Sequence, residues 1–331
     1  MAQSDLTPQT DSAGLSEAPI SWHYLGSRQE LARGPRRHDL PGGQRFVGFL
    51  TASGQPVVLA ARCVHMGADL ALGSVRGDRL ACPLHGWEYG ADGRCGHIPC
   101  LAAPKIPAEA RQPTFPVAEC GGQIFFFNAP EARFPMPFFE NVTPEDLQPA
   151  RAFDLEDNVP WYFIGANGFD LQHFDNAHDR VLIGQPTVDS PHPFARRITL
   201  DFKVSGDSWA DRVSRRVAGA KVQWTVTSWC GSLIFVVARF QRITSYGLVT
   251  VQPLENLNSR ERVIVWTRRS RSSLGRRFFD PVNAAIRRSF IQNFLRSDLG
   301  RMSGARYGLG PVLEIDNIVR DYMNWLRKVH R

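Results

Sequence analysis

Two short stretches, Cys63-Val64-His65-Met66-Gly67-Ala68-Asp69-Leu70 and Cys82-Pro83-Leu84-His85-Gly86-Trp87, decide how this 331-residue chain is read. Each sets one thiol and one imidazole beside a glycine, and sixteen residues separate His65 from Cys82. Around them, Gly43 to Asn128 consists of short apolar runs (Phe46 to Leu50, Val57 to Ala60, Gln123 to Phe127) cut by Gly, Pro and Asp-Gly, the texture of a small all-β domain of hairpins. Both stretches therefore fall in turns between hairpins. Thiolate and imidazole are ligands of zinc or of an iron–sulfur cluster, so ligand type leaves two metals open. A structural zinc site typically draws two Cys from one knuckle and two His from one helix. Here each turn offers one of each, which suits a [2Fe-2S] cluster with thiolates on one iron and imidazoles on the other.

Working outward, 43% apolar and 21% charged residues describe a folded chain of about two domains and exclude a disordered, collagen-like or disulfide-scaffold protein. No run approaches the roughly 18 apolar residues of a membrane span; Leu233 to Ala238 stops at Arg239. Residues 1–19, rich in Ser, Thr, Pro, Ala and Asp, have neither the basic nor the apolar region of a signal peptide, and the expectation is a disordered tail on a cytoplasmic protein. In that compartment the cysteines at 63, 82, 95, 100, 120 and 230 serve metal binding or burial rather than disulfides. Net charge is +7, yet residues 260–331 hold 16 Lys and Arg against 6 Asp and Glu. No nucleic-acid motif accompanies them, so a solvated helix face or an acidic protein partner is the better reading.

Pro130, Pro135, Pro137, Pro144 and Pro149 mark a linker, which divides the chain into a tail (1–19), a cluster domain (20–130), the linker (131–150) and a second domain (151–331). Runs rich in Val, Ile, Thr, Phe and Trp predict strands at 197–204, 222–229, 233–240, 248–253 and 262–268, in one antiparallel sheet. Helices are expected over 168–179, over 281–299 and at the end, where Ile315, Ile318, Val319, Tyr322, Trp325, Leu326 and Val329 recur at spacings of three and four. The second domain is thus α+β, a sheet wrapping helices. Its early helical segment carries Asp170-x-x-His173-x4-His178, and two imidazoles with a carboxylate form the facial triad that binds Fe(II) and leaves positions open.

The two loops resemble the Rieske domain in ligand order, spacing and flanking glycines. Respiratory members of that family carry an extra disulfide and a serine donating to a cluster sulfur; the corresponding positions here are Ala68, Leu84 and Trp87. Loss of those donors predicts a low reduction potential. From about Trp22 onward the chain is similar to the oxygenase (alpha) component of Rieske non-haem iron oxygenases. That resemblance implies a Rieske [2Fe-2S] cluster on Cys63, His65, Cys82 and His85, and a mononuclear Fe(II) in a helix-grip type catalytic domain. It implies His173 and His178 as iron ligands, Asp170 as a carboxylate linking them to a neighbouring subunit's cluster ligand, and an acid near the C-terminus as third ligand. Asp316 is the choice, with Glu314 and Asp321 behind it; Asp316 equally suits an N-cap. His97-Ile98-Pro99 and Asp316-Asn317-Ile318-Val319 are similar to the aminopyrrolnitrin oxygenase-like monooxygenases.

The activity so implied is a terminal oxygenase of a multicomponent system. It would use dioxygen and NAD(P)H-derived electrons to hydroxylate, N-oxygenate or demethylate a small aromatic or cyclic substrate, monooxygenation being favoured over dihydroxylation. No Gly-x-Gly-x-x-Gly fingerprint is present, so NAD(P)H acts indirectly through a separate ferredoxin or flavin reductase. The resemblance further implies a homotrimer with no nucleic-acid or membrane partner. The competing reading is a Rieske-type electron-transfer or iron-sensing protein without oxygenase activity.

Overall fold

The computed structural model describes residues 13–15, 17–101, 105–178, 180–206, 209–308 and 313–330. The chain forms two compact units, Ile20–Pro137 and Phe138 onward, the latter joined by the described residues before Ile20.

The first unit runs β1 (Trp22–Ser27), α1 (Arg28–Leu31), β2 (Arg36–Leu40), β3 (Gln44–Leu50), β4 (Pro56–Ala60), β5 (Ser74–Arg76), β6 (Arg79–Ala81), β7 (Glu88–Tyr89), β8 (Cys95–His97), β9 (Thr114–Phe115), β10 (Val117–Cys120) and β11 (Gln123–Phe127). These strands pair antiparallel in small sheets ordered β1-β11-β10, β2-β3-β4-β9 and β5-β6-β7-β8. Turn chemistry sets the registers. Gly77, at φ +58°, and Asp78 close β5 onto β6 with Arg76 opposite Arg79, the two-residue loop whose positive φ glycine tolerates without strain. Val47, Phe49, Leu59, Leu70, Leu80 and Tyr89 form a core around the Cys63 and Cys82 side chains.

The second unit contains β12 (Leu147–Pro149), β13 (Phe153–Asp157), α2 (Trp161–Asn167), α3 (Leu171–His178), β14 (Arg180–His192), β15 (Ala195–Val204), α4 (Trp209–Val217), β16 (Lys221–Trp229), β17 (Leu233–Phe240), β18 (Thr244–Pro253), β19 (Ser259–Arg268), α5 (Asp280–Met302) and α6 (Asn317–Val329). One antiparallel sheet runs β12-β19-β18-β17-β16-β15-β14, and β13 also pairs with β19. One face carries Ile198, Leu200, Val222, Val226, Ile234, Val249 and Val263 into a core shared with Tyr162 of α2, Ala284 and Met302 of α5, and Tyr322, Met323 and Leu326 of α6. On the other face Phe139 stacks edge-on against Phe235, Tyr246 and Trp266. The α+β architecture, a sheet wrapping helices, is the one expected.

Three expectations need correction. Of the segment read as a free tail, residues 1–12 and 16 lie outside the described residues, but Ala13 and Leu15 are buried in the second unit, where Trp161 Nε1 donates to the Leu15 carbonyl at 3.0 Å and Arg327 Nε to that of Ala13 at 2.9 Å. Backbone carbonyls that satisfy a buried indole tie a segment down whatever its composition. The Pro-rich stretch is likewise ordered: Phe139 is buried and β12 extends the sheet, because Pro149 sits on an edge strand where no ladder N–H is required of it. Thirdly, β14 was not anticipated; Gly184, Pro186 and Pro191 mask a strand whose register shifts at two irregularities.

Candidate metal centres

In the first unit the two ligand loops are near copies. Cys63 N donates to Ala68 O at 2.9 Å and Gly67 N to Cys63 O at 2.7 Å; Cys82 N donates to Trp87 O at 2.8 Å and Gly86 N to Cys82 O at 3.1 Å. Each turn needs a residue at positive φ, supplied by Gly67 (+75°) and Gly86 (+68°). Both thiols point into the core while His65 and His85 lie at the surface, their rings 4.8 Å apart. Trp87 stacks on His65 at 4.4 Å, and buried Gln112 staples the first loop by accepting from Val64 N at 2.8 Å and donating to the carbonyls of Ala60 and Arg62.

The donor set suits a [2Fe-2S] cluster on this chain's own chemistry. Burial pushes the Cys82 thiol up, a penalty that a bound cation reverses by holding the thiolate. The Tyr89 hydroxyl lies 3.0 Å from Cys63 Sγ; burial and that sulfur drive its pKa far upward, so it keeps its proton and is the donor once Cys63 is a metal-bound thiolate. Sequence reasoning missed this donor, and its presence corrects the inference that the sulfurs have lost their stabilising partners: the serine is gone, a phenol remains.

The second unit gathers His173, His178 and Asp298, whose ligand atoms all lie within 4.8 Å of one another. The two Nε2 atoms are 3.1 Å apart, and Asp298 Oδ1 is 3.5 Å from His173 Nε2 and 3.0 Å from His178 Nε2. Five positions on a regular helix turn the side chain through about 140°, so convergence depends on His178 being the last residue of α3. Phe294 stacks on the His178 ring at 3.7 Å and fixes its plane. Burial disfavours the charge on Asp298, but the imidazoles that donate to it outweigh burial and hold its carboxyl below the ordinary aspartate range. Burial holds His178 below the ordinary histidine range, the neutral form that a metal needs. Two imidazoles and an ionised carboxylate, converging in a buried place, match the donor set for Fe(II).

Asp316, the third ligand expected from the sequence, does not join this cluster. It lies on a turn before α6, where Oδ1 accepts from Gln172 Nε2 at 2.9 Å and Oδ2 from Leu313 N at 2.9 Å, so capping has claimed both oxygens. Asp321 pairs with Arg196 and Glu314 is exposed. Asp298 was overlooked, although Ile291, Leu295, Asp298 and Met302 recur at spacings of three and four, and an acid on the core-facing stripe of a helix is a legible anomaly. Asp170 caps α3, its Oδ1 accepting from Gln172 N at 3.0 Å and more weakly from His173 N at 3.4 Å. Asn167, also unanticipated, places Nδ2 3.3 Å from His173 Nε2.

Residues 21–116 match the Rieske [2Fe-2S] domain. A probable 3-ketosteroid-9-alpha-monooxygenase oxygenase component of Rhodococcus rhodochrous is 41% identical over 114 residues, 34% of this chain and 28% of that protein. A cholesterol 7-desaturase of Ciona intestinalis is 30% identical over 164 residues, 48% of this chain and 34% of that one. The chain thus spans about a third or less of these relatives' length. Dicamba monooxygenase bound to dicamba superposes with a TM-score of 0.74 at 17% identity, over 94% of this chain and 97% of that one, so the likeness in fold extends through both units. No helix among the described residues is long and apolar enough to cross a membrane.

Proposed function

We propose that this chain is the terminal oxygenase of a multicomponent monooxygenase that acts on a cyclic, largely apolar substrate. The observation that carries the reading is the meeting of His173, His178 and Asp298 in one unit of a chain whose other unit presents Cys63, His65, Cys82 and His85. Cys63 and Cys82 would hold one iron of the cluster and His65 and His85 the other; His173, His178 and Asp298 would hold the mononuclear iron. So bound, the cluster supplies single electrons and the mononuclear iron the activation of dioxygen. The chain's own part is to keep His178 neutral and flat against Phe294, to hold Asp298 ionised, and to surround them with Phe174 and Trp224, which limit water. The names of the relatives and structural neighbours point to cyclic substrates, a steroid and dicamba among them.

Electrons reach the cluster from NAD(P)H through a separate ferredoxin or flavin reductase in the cytoplasm, and the working form is a head-to-tail homotrimer in which Asp170 links the imidazoles of one chain to a cluster ligand of the next. The test is a purified protein assayed for metal and for turnover. Three irons and two acid-labile sulfides per chain, with substrate-dependent dioxygen uptake driven by NADH and a reductase, are expected. Stoichiometric zinc, or cluster reduction with no dioxygen uptake on any cyclic substrate, would leave an electron-transfer or sensor protein instead.

A further inference from the structure

The sheet of the second unit carries, on its helix-covered face, a transverse row that neither metal centre uses. Leu200 pairs with Trp224, Trp224 with Ala238, and Ala238 with Ser245, so these residues stand side by side across β15 to β18. The row is incompletely filled. Trp224, Val236, Ala238 and Phe240 face the core yet remain only partly buried. At Gly247, opposite Val236, an added Cβ would meet nothing nearer than 4.0 Å. At one end Trp224 lies 5.3 Å from Phe294 and 5.5 Å from Phe174, the rings that flank His178 and His173, and its Nε1 is buried with no hydrogen-bond partner among the described residues.

The other end holds an unneutralised cation. Arg287 of α5 donates from Nη1 to Thr244 O at 2.6 Å and Ser245 Oγ at 2.7 Å, and from Nε to Asn283 Oδ1 at 3.1 Å. All three acceptors are uncharged, and no carboxylate among the described residues pairs with it. Its surroundings lower its pKa by burial alone, with no acid to raise it. A guanidinium has five N–H donors, and the two on Nη2 are left over, free to give a charge-assisted hydrogen bond to a ligand anion. Arg287, Ile291, Phe294 and Asp298 follow at steps of four, three and four on one face of α5, so the helix that bears the arginine also bears the iron ligand.

We propose that this row is a substrate cradle with an anion site at its far end. Arg287 takes a carboxylate of the substrate, the apolar body lies over Ala238 and Gly247, and the atom to be oxidised reaches the Trp224 and Phe294 end beside His173 and His178. Two strand spacings separate Ser245 from Trp224, about 10 Å, which sets the length of the ligand. The substrate class is therefore a flat cyclic acid with its carboxylate about 10 Å from the reacting position. This deepens the oxygenase reading and rests on it for the word substrate; the binding itself needs neither electrons nor dioxygen.

Calorimetric titration of the iron-loaded protein with biphenyl-4-carboxylate, biphenyl-4-carboxamide and benzoate tests it. The long acid is expected to bind at least about tenfold tighter than its amide and than benzoate, a discrimination of one carboxylate–guanidinium contact. Arg287→Gln should erase the preference of acid over amide, and Arg287→Lys should keep part of it. Because Arg287 also ties α5 to β18, Ala238→Phe provides a second variant that leaves the arginine alone: it should block the biphenyl acid and spare benzoate. Equal affinity for acid and amide in the unaltered protein, a preference that survives Arg287→Gln, or biphenyl binding undiminished by Ala238→Phe would overturn the cradle. Failure of the oxygenase reading would show separately, as absent dioxygen uptake with these affinities intact.

Discussion

At the scale of single residues, the two centres differ in how much each depends on a side chain far along the sequence. Asp298 sits 3% exposed between two imidazoles, whereas Asp316 spends its oxygens on a backbone amide and Gln172. Asp298→Ala should therefore lower the iron content from three to two per chain and abolish turnover while the visible spectrum of the cluster persists; Asp316→Ala should retain three. Full iron and activity in Asp298→Ala would send the search for the third ligand elsewhere. Tyr89 makes a second prediction. Its phenol donates to the Cys63 sulfur, and a donor to sulfur favours the added electron, so Tyr89→Phe should lower the cluster's reduction potential by tens of millivolts in direct voltammetry without loss of iron.

Between elements, close approach and buried charge set the tolerances. A Cβ on Gly165 of α2 would come 2.1 Å from the Tyr322 hydroxyl of α6, which is already held at 2.9 Å by Ser228 Oγ of β16. Gly165→Ala should cost about 1–3 kcal/mol by overpacking. Adding Tyr322→Phe removes the clashing atom, so in thermal melts the double variant should be more stable than the sum of the single losses. On β19, Glu261 is buried, and desolvation together with Asp157 of β13 raises its pKa well above the ordinary glutamate value. A carboxyl whose folded pKa is raised contributes stability that is present below its unfolded value and is lost as pH rises through the folded one. Stability should thus fall on the alkaline side, and Glu261→Gln, which keeps the hydrogen but cannot ionise, should flatten that fall; melting curves from acid to alkaline pH will check it.

For the molecule as a whole, the charge reading changes once partners are known. Arg260 and Arg262 of the basic C-terminal segment pair with Glu156 and Asp154 on β13, so part of the excess cation is neutralised across strands instead of standing free for an acidic partner. The proposed relay between chains has a direct test in mixed assemblies. His85→Ala removes a cluster ligand and His173→Ala an iron ligand, and each should be inactive alone. Hybrids of the two should recover activity if electrons cross from one chain to the next; confirmed hybrids that stay inactive, or a fully active monomer by light scattering, would remove the trimer relay.

What the sequence determined by itself is whatever is local. The cluster loops read directly because four ligands fall within twenty-three residues and each turn's geometry is dictated by a glycine inside it. The strands β15 to β19 and the helices α3, α5 and α6 were legible from β-branched runs and helical spacing, while β14 was hidden by its glycine and prolines. His173 and His178 were legible as a pair on one short helix. Their third partner was not, because 119 residues separate His178 from Asp298 and a carboxylate carries no mark of where its helix will lie. Only the tertiary structure decided it: α5 packs across the sheet, delivers one buried acid to the imidazoles and sets Arg287 over Ser245, while Trp161 of α2 and Arg327 of α6 hold Leu15 and Ala13 in the core. Local chemistry selects which groups can act, and long-range burial selects which of them meet.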